Sequence, residues 1–352
     1  MRKTNKKQQI RDYLVRAIGD SIVDPPGAAA KRFNVTRQYA NKLLRELTDE
    51  GVITATGATR ARTYELITKS NRLELELAGG LEEDRVWRES VLPALGGIGK
   101  RALNICHYGF TEMFNNVLEH SDGTHATVVV DHGPTAVTMQ VADDGVGIFD
   151  KIQRAFDLAD PHHAVLELSK GKLTTDPDAH TGEGIFFTSR MFDEFSIHSG
   201  ELALVHYPVD DDWLIENLTR QEGTLVRMTI DPRSRRTTRS VFDRYSGDVS
   251  ADYGFNVTHV PVGLARYGDE NLVSRSQAKR VLSRLDLFRR VVLDFSDVEG
   301  IGQAFADELF RVYPGQNPDI ELVVANAGPG VEPMIRRALS RPGNEAKVTF
   351  GS

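Results

Sequence analysis

Three short patterns in this sequence combine side chains suited to acid–base chemistry, metal coordination and anion binding. The first pattern is EMFNN, which runs from Glu112 to Asn116. Residues four positions apart share one face of a helix, so a proton-accepting carboxylate and a metal-binding amide oxygen would project together. The second pattern, DDGVG from Asp143, is an acidic glycine turn. The third, GEG from Gly182, is a glycine pair of the kind that opens a helix and binds anions.

Hydrophobic periodicity predicts the elements that position these patterns. EMFNN lies in a helical segment that we expect to run from about Ile98 to His120. HATVVVD and AVTMQVAD alternate like two strands of a hairpin, so DDGVG follows directly from a strand. GEG comes before a further helical segment. Apart from FDLAD and HAVLELS, the intervening residues 149–181 have little periodicity, and we predict a mobile lid over the site.

In their order, the three patterns resemble the N, G1 and G2 boxes of the GHKL superfamily. This superfamily includes gyrase, mismatch-repair ATPases, histidine kinases and anti-sigma-factor kinases. Asn116 and Asp143 are 27 residues apart, and Asp143 and Gly182 are 39 apart, which are intervals similar to those of the family. The resemblance covers residues 72–230 and implies a Bergerat-type α/β sandwich that binds ATP and Mg²⁺.

The resemblance also implies a role for each matching residue. Glu112 would act as general base and Asn116 would hold Mg²⁺, while Asp143 would accept a hydrogen bond from the adenine amino group. The glycines of DDGVG would let the backbone approach the base. Lys170 and Lys172 would reach phosphate oxygens when the lid closes, although simple exposure to solvent is the alternative for both. The predicted nucleotide-binding residues are Asn116, Asp143, Gly145, Gly147, Lys170, Lys172, Thr181, Gly182 and Gly184.

Charge divides the chain into a basic head and an acidic body. Residues 1–70 carry 14 Lys and Arg against 7 Asp and Glu, a net charge of +7. The remaining residues carry 29 against 43, a net charge of −14. This asymmetry is typical of a nucleic-acid-binding module joined to other domains.

The head has the pattern of helices followed by a hairpin. Apolar residues have helical spacing from Gln9 to Ile18, and a second segment, AAAKRF, follows. A third helix is expected after the N-cap Thr36, and two short β-rich runs come after it. Residues 8–68 resemble bacterial winged helix-turn-helix domains, whose second motif helix enters the major groove of DNA. A solvated face or a protein-docking winged helix is the alternative. The predicted DNA-binding residues are Lys31, Arg32, Arg37, Gln38, Asn41, Lys42, Arg45, Arg60 and Arg62.

The last third of the chain alternates strand and helix patterns, which predicts a small α/β domain. VVLDFSDVEGIGQAFADELF resembles a STAS domain, the fold of anti-anti-sigma factors, in which a serine at the start of a helix receives phosphate. The equivalent stretch here, residues 302–304, is Gly-Gln-Ala and has no hydroxyl group. We therefore expect this domain to pack against the chain, to form a homodimer or to bind a protein partner.

The fold class that follows is a multidomain α/β protein with a winged helix-turn-helix at 1–70, an ATP-binding sandwich at 71–234 and a STAS-like domain at 235–352. The composition is typical of soluble proteins, with 40% hydrophobic and 26% charged residues. The sequence has neither an apolar run of membrane-spanning length nor a secretory signal pattern, so we expect a cytoplasmic protein that does not enter a membrane.

Three functional hypotheses fit this organisation. The first is a DNA-binding regulator controlled by ATP binding or slow hydrolysis. The second is a serine/threonine kinase of the anti-sigma type that acts on a separate STAS-like partner. The third is a nucleotide-gated scaffold with negligible turnover. A winged helix occupies the place where a histidine kinase would carry its phosphoacceptor hairpin, which argues against histidine autophosphorylation.

Overall fold

The computed structural model of the protein consists of a small helical head, a five-stranded sheet and a four-stranded sheet in chain order. It describes residues 6–57, 62–77, 79–174, 181–208, 212–246, 255–266, 270–341 and 347–351. Within these ranges, no helix combines the length and the apolar character needed to cross a membrane.

The head folds around its own hydrophobic core. Its elements are α1 (Lys6–Gly19), α2 (Pro25–Phe33), α3 (Arg37–Asp49), β1 (Ile53–Thr56) and β2 (Thr63–Leu66). Thr36 caps α3 as the sequence predicts, because its Oγ1 accepts a hydrogen bond of 3.2 Å from the N–H group of Tyr39. Leu43 and Leu47 of α3 pack with Ile10 of α1 in this core. The two strands then pair as an antiparallel hairpin.

The middle region is an antiparallel sheet in the strand order β3-β4-β5-β7-β6. Its strands are β3 (Lys69–Glu76), β4 (His125–His132), β5 (Val137–Asp143), β6 (Glu194–Tyr207) and β7 (Asp212–Ile230). Its helices are α4 (Glu83–Val86), α5 (Leu92–Ala94), α6 (Lys100–His120), α7 (Ile148–Ala155), α8 (Pro161–Lys170) and α9 (Gly184–Met191). The long helix α6 begins two residues later than the sequence predicts, with Gly99 as its N-cap.

The segment that we predict to be a mobile lid contains two helices, α7 and α8. Residues 149–155 and 161–170 of the segment are helical, and residues 175–180 lie outside the described ranges. Asp160 starts α8 by accepting a hydrogen bond of 3.0 Å from the N–H group of His163, and Pro161 occupies the first helical position. These two residues are a helix-start signal that the weak periodicity obscured.

The C-terminal region is a parallel sheet in the order β11-β10-β9-β8, in agreement with the predicted α/β pattern. Its strands are β8 (Val257–Pro261), β9 (Arg290–Asp294), β10 (Glu321–Ala325) and β11 (Val348–Phe350). Its helices are α11 (Arg275–Leu282), α12 (Gln303–Asp307), α13 (Tyr313–Gln316) and α14 (Glu332–Leu339).

A short helix, α10 (Thr238–Tyr245), joins the middle and C-terminal regions. It follows residue 235, yet it packs on the middle region: the ring of Phe242 lies 5.5 Å from that of Tyr108 and 4.5 Å from that of Phe187, between centroids. The buried side chains of the two regions form one continuous hydrophobic cluster. The two regions therefore share a core.

Candidate functional site

A cavity of about 180 Å³ opens between α6, the end of β5, α7 and the start of α9. Much of the set predicted from the sequence lines this cavity, although its members come from distant parts of the chain. These residues are Glu112, Asn116, Asp143, Gly147, Thr181, Gly182 and Gly184. The three sequence patterns therefore meet in one place.

Helix α6 supplies Glu112 and Asn116 from the face that lines the cavity. Its other faces are held in the core by buried side chains that include Phe110 and Phe114, whose rings stack 5.2 Å apart. Glu112 reaches across to the start of α9. A Cβ atom at Gly184 would overlap Oε2 of Glu112, so this close approach requires glycine.

Asp143 lies at the end of β5 with only 8% of its surface exposed. Its Oδ1 accepts hydrogen bonds from the N–H groups of Gly145 at 2.9 Å and Thr224 at 3.2 Å. Burial raises the pKa of Asp143, while these hydrogen bonds oppose the rise. The two hydrogen bonds fix the orientation of the Asp143 carboxylate at the cavity wall.

The glycines of DDGVG serve two different purposes. Gly147 lines the cavity, and its φ of +84° is in the region that favours glycine. Gly145 does not line the cavity, and a Cβ atom there would overlap the backbone carbonyl of Ser121. The prediction that Gly145 makes room for a base is corrected accordingly: it makes room for the end of α6.

The start of α9 forms the opposite wall of the cavity. Gly182 has a φ of +67°, and its carbonyl accepts a hydrogen bond of 3.2 Å from the N–H group of Leu173. α9 begins at Gly184, so the N–H groups of its first turn lie at the cavity wall. Burial raises the pKa of Glu183, which lies between these glycines. A helix start of this kind favours anionic ligands.

Lys170 is fully buried and lies away from the cavity, which contradicts its predicted contact with phosphate. Its Nζ pairs with Glu167 at 2.7 Å and donates to the carbonyls of Arg280 and Ser283, each at 2.9 Å. Burial alone would raise the pKa of Glu167, but the charge of Lys170 and the ring of His163, whose Nε2 lies 3.4 Å from the carboxylate, lower it to about 2. The physical reason for the correction is that α8 turns this lysine toward the C-terminal region.

Lys172 is held in the same direction. Its Nζ donates to the carbonyl of Leu287 at 2.9 Å and lies 5.0 Å from the centroid of the Phe288 ring. It is not among the residues that line the cavity. The predicted phosphate contact of Lys170 is therefore wrong, whereas that of Lys172 stays a prediction, because the charge of Lys172 acts on Glu183 at the cavity wall.

Several polar residues that line the cavity were missed from the sequence, and Lys151 and Thr224 are two of them. Lys151 on α7 donates from Nζ to the carbonyl of His120 and to Asp122, each at 2.7 Å. If a helix is predicted to start directly after Gly147, Lys151 lies one helical turn later and therefore close to the cavity. Thr224 on β7 accepts a hydrogen bond of 3.0 Å from the N–H group of Ile148. No local pattern distinguishes Thr224.

In the head, four predicted residues form a stripe on α3. They are spaced at i, i+3, i+4 and i+7, on the side opposite the buried leucines, and only Asn41 is half-buried while the rest are exposed. We call these residues the α3 stripe: Gln38, Asn41, Lys42 and Arg45.

The other predicted head residues have different surroundings. Arg37 makes two hydrogen bonds to Asp24, at 2.7 and 2.9 Å, and Arg32 lies 5.0 Å above the ring of Tyr13. Lys31 and Arg62 are exposed, and Arg60 lies outside the described residues.

Comparison with protein families agrees with this architecture for two parts of the chain. Residues 80–205 match the family model of the histidine kinase-like ATPase domain, and residues 277–332 match that of a STAS-like domain of unknown function. The chain therefore contains a histidine kinase-like ATPase domain followed by a STAS-like domain. The cavity residues from Glu112 to Ile185 lie within the first match. No curated protein matches the chain significantly.

Proposed function

We propose that the protein binds ATP with Mg²⁺ in the cavity and that the bound nucleotide controls DNA binding by the head. The observation that carries this proposal is the convergence of Glu112, Asn116, Asp143 and Gly184 on one cavity within the histidine kinase-like ATPase domain. Their roles follow from the chemistry of each side chain and from the resemblance of their motifs to the GHKL family.

The residues present fit a nucleoside triphosphate. Asp143 offers a buried, anchored carboxylate as acceptor for the adenine amino group. The glycine-opened start of α9 offers N–H groups to the triphosphate. Asn116 offers an amide oxygen to Mg²⁺, which prefers oxygen ligands and commonly takes most of them from water and phosphate. Bound Mg²⁺ would neutralise phosphate charge during reaction.

Glu112 is the residue we assign to proton transfer. Its carboxylate lies against the start of α9, where the terminal phosphate would be held, and it would take a proton from an attacking water molecule at Oε2. This role makes the protein a weak ATPase. Hydrolysis would then reset the switch that nucleotide binding sets.

We further propose that the head is a winged helix-turn-helix that binds DNA. Three helices, a hairpin and a net charge of +7 over residues 1–70 support this proposal. The α3 stripe would meet base edges and phosphates in the major groove, because its amide and cationic side chains are the types used there. Arg37 would serve mainly to fix the start of α2 through Asp24.

The connection between the head and the ATPase sheet is short, which supports coupling between them. Only residues 67–68 separate β2 of the head from β3 of the sheet. Arg233, which follows β7, pairs with Asp12 on α1 at 3.2 Å. A change in the ATPase domain would therefore be transmitted to the orientation of the head.

The test is DNA affinity at one fixed salt concentration in the absence of nucleotide, with ADP and with a non-hydrolysable ATP analogue. We expect these affinities to differ by about fivefold or more, which is the lower range of typical coupling. The Asn116→Ala variant, which lacks the proposed Mg²⁺ ligand, should lose the difference. Equal DNA affinity in all three states would overturn the switch.

The second candidate is a serine/threonine kinase of the anti-sigma type acting on a separate STAS-like protein. The presence of both a histidine kinase-like ATPase domain and a STAS-like domain favours it. Incubation with γ-labelled ATP separates the two functions. Label on a co-purified protein supports the kinase, whereas release as inorganic phosphate, lost in Glu112→Gln, supports the ATPase.

A further inference from the structure

A network of polar contacts fastens the ATPase domain to the C-terminal domain beside the cavity. We call it the interdomain clasp; it consists of Glu167, Lys170, Lys172, Arg284 and the backbone carbonyls of residues 280, 283 and 287. Arg284 donates from one guanidinium nitrogen to Glu167 at 3.1 Å and from another to the carbonyl of Lys172. Lys170 and Lys172 each donate to carbonyls of the C-terminal domain.

The clasp is built of buried charges that need both domains. An isolated ammonium group is costly to bury, and Lys170 is compensated by Glu167 and by the two carbonyls at the end of α11. Cations are favoured at a helix C-terminus, where carbonyls lack partners within the helix. Thr258 of β8 also donates to the carbonyl of Lys170 at 2.7 Å. Separation of the domains would break all of these contacts except that between Lys170 and Glu167, which both lie on α8.

The clasp is continuous with the cavity wall. Leu173 and Thr174 follow directly after Lys172, and both line the cavity. The N–H group of Leu173 donates to the carbonyl of Gly182, so the clasp is one residue away from the glycine turn that begins the opposite wall. A second connection is aromatic: Phe186 of α9 lies 4.3 Å from Phe255 of the C-terminal domain, between ring centroids.

We infer that the STAS-like domain acts in cis as the regulatory partner of the nucleotide cavity, holding Leu173 and Thr174 in the position that binds nucleotide. The inference rests on the proposed nucleotide binding. Both the carbonyl and the ammonium group of Lys172 are held by the C-terminal domain. A ligand that contacts the adjoining wall therefore binds more tightly when the clasp is formed. By reciprocal coupling, the bound ligand stabilises the clasp by the same free energy.

The test compares affinity for a fluorescent ATP analogue with Mg²⁺ in the wild type and in Arg284→Asn. Arg284 has a φ of +58°, which asparagine tolerates better than most residues, so the variant removes the guanidinium contacts with little backbone strain. The control is Arg336→Asn, which removes an exposed arginine whose partners, Glu332 and the ring of Phe350, do not line the cavity. We expect affinity about fivefold weaker or more in Arg284→Asn and unchanged affinity in the control.

A second measurement needs no variant. Hydrogen exchange of the amides at residues 280–288 in the wild type should slow when ATP and Mg²⁺ are added, because reciprocal coupling stabilises the clasp. If the wild type binds nucleotide but neither the affinity of Arg284→Asn nor this exchange changes, the regulatory role is overturned and nucleotide binding stands. If the wild type binds no nucleotide, the proposed function itself is overturned. If Arg284→Asn does not fold, the exchange measurement decides.

Discussion

Glu112 and Gly184 are in direct contact across the cavity, although they are 72 positions apart in the chain. A Cβ atom at residue 184 would overlap Oε2 of Glu112 and lie 3.0 Å from its Cδ. The absence of a side chain at Gly184 therefore determines where the proposed general base can lie.

Gly184→Ala should reduce ATP turnover by about 100-fold, because displacement of a reacting group by about 1 Å has effects of that size. The overlapping atom is the end of a flexible side chain, so Glu112 can move aside and the loss of stability should be small. Steady-state hydrolysis and thermal unfolding measure the two effects. The control is Gly315→Ala, where a Cβ atom meets nothing within 4 Å. Normal turnover in Gly184→Ala would mean that the position of Glu112 does not matter.

Asp143→Asn should weaken ATP binding without weakening the fold. The variant removes the charged acceptor for adenine, and hydrogen bonds to charged groups contribute about 1.5–3 kcal/mol, or roughly tenfold or more in affinity. Burial raises the pKa of Asp143, which means that the folded state disfavours its charge, so a neutral amide should not lower stability near neutral pH. Titration calorimetry and chemical denaturation measure the two quantities.

The adjacent Asp144→Asn is the matched control. Asp144 accepts hydrogen bonds from the N–H groups of Thr124 at 2.7 Å and His125 at 2.9 Å, which hold its pKa well below the ordinary range. It does not line the cavity. Asp144→Asn should therefore lower stability and keep ATP affinity. If Asp144→Asn weakens ATP binding while Asp143→Asn does not, our assignment of Asp143 is contradicted.

Helix α6, which carries Glu112 and Asn116, could be predicted from the sequence because it has one buried face and one more exposed face. Helix α8 could not, because all residues from Ala164 to Lys170 are buried between the ATPase and C-terminal domains. A helix buried on all sides has no amphipathic stripe, so periodicity does not reveal it. The predicted role of Lys170 is wrong because the partners of its ammonium group, the carbonyls of Arg280 and Ser283, lie more than 100 residues away in the chain.

Individual site residues also differ in whether the sequence alone could reveal them. Glu112 and Asn116 could be paired from their spacing on one helix. Thr224 meets Asp143 across 81 residues because β5 and β7 are neighbours in the sheet, and no local pattern encodes that contact. The constraint on Gly145 comes from the carbonyl of Ser121, an atom that sequence patterns do not identify.

Lys170→Met should destabilise the protein by about 3–5 kcal/mol, because it leaves Glu167 buried without its nearest cation. The free energy of unfolding from urea denaturation measures this loss. Arg85→Met is the control, because it breaks an exposed pair with Glu89 that should contribute less than about 1 kcal/mol. If Lys170→Met and Arg85→Met lose equal, small amounts of unfolding free energy, Lys170 behaves as a surface lysine and is not part of the clasp.

Glu167 should make stability depend on pH in the acid range. Its pKa is about 2 in the folded protein against an ordinary value of 4.5, so its charged form stabilises the fold above about pH 5. That contribution is lost as the pH falls toward about 2. Glu167→Gln should therefore show a shallower decline in unfolding free energy over this window than the wild type. Parallel declines would contradict a role for the ionised carboxylate.

Substitutions in the α3 stripe should divide into two kinds if the head binds DNA. Arg45→Ala should weaken binding to all DNA sequences and reduce the slope of log K against log salt by about one, as expected for the loss of one phosphate contact. Gln38→Ala should instead reduce discrimination among sequences, because a glutamine amide reads base edges. Arg239→Ala, which removes an 88% exposed arginine on α10, controls for net charge. If Arg239→Ala lowers DNA affinity as much as Arg45→Ala, the effect is one of overall charge, and the α3 stripe is not the contact surface.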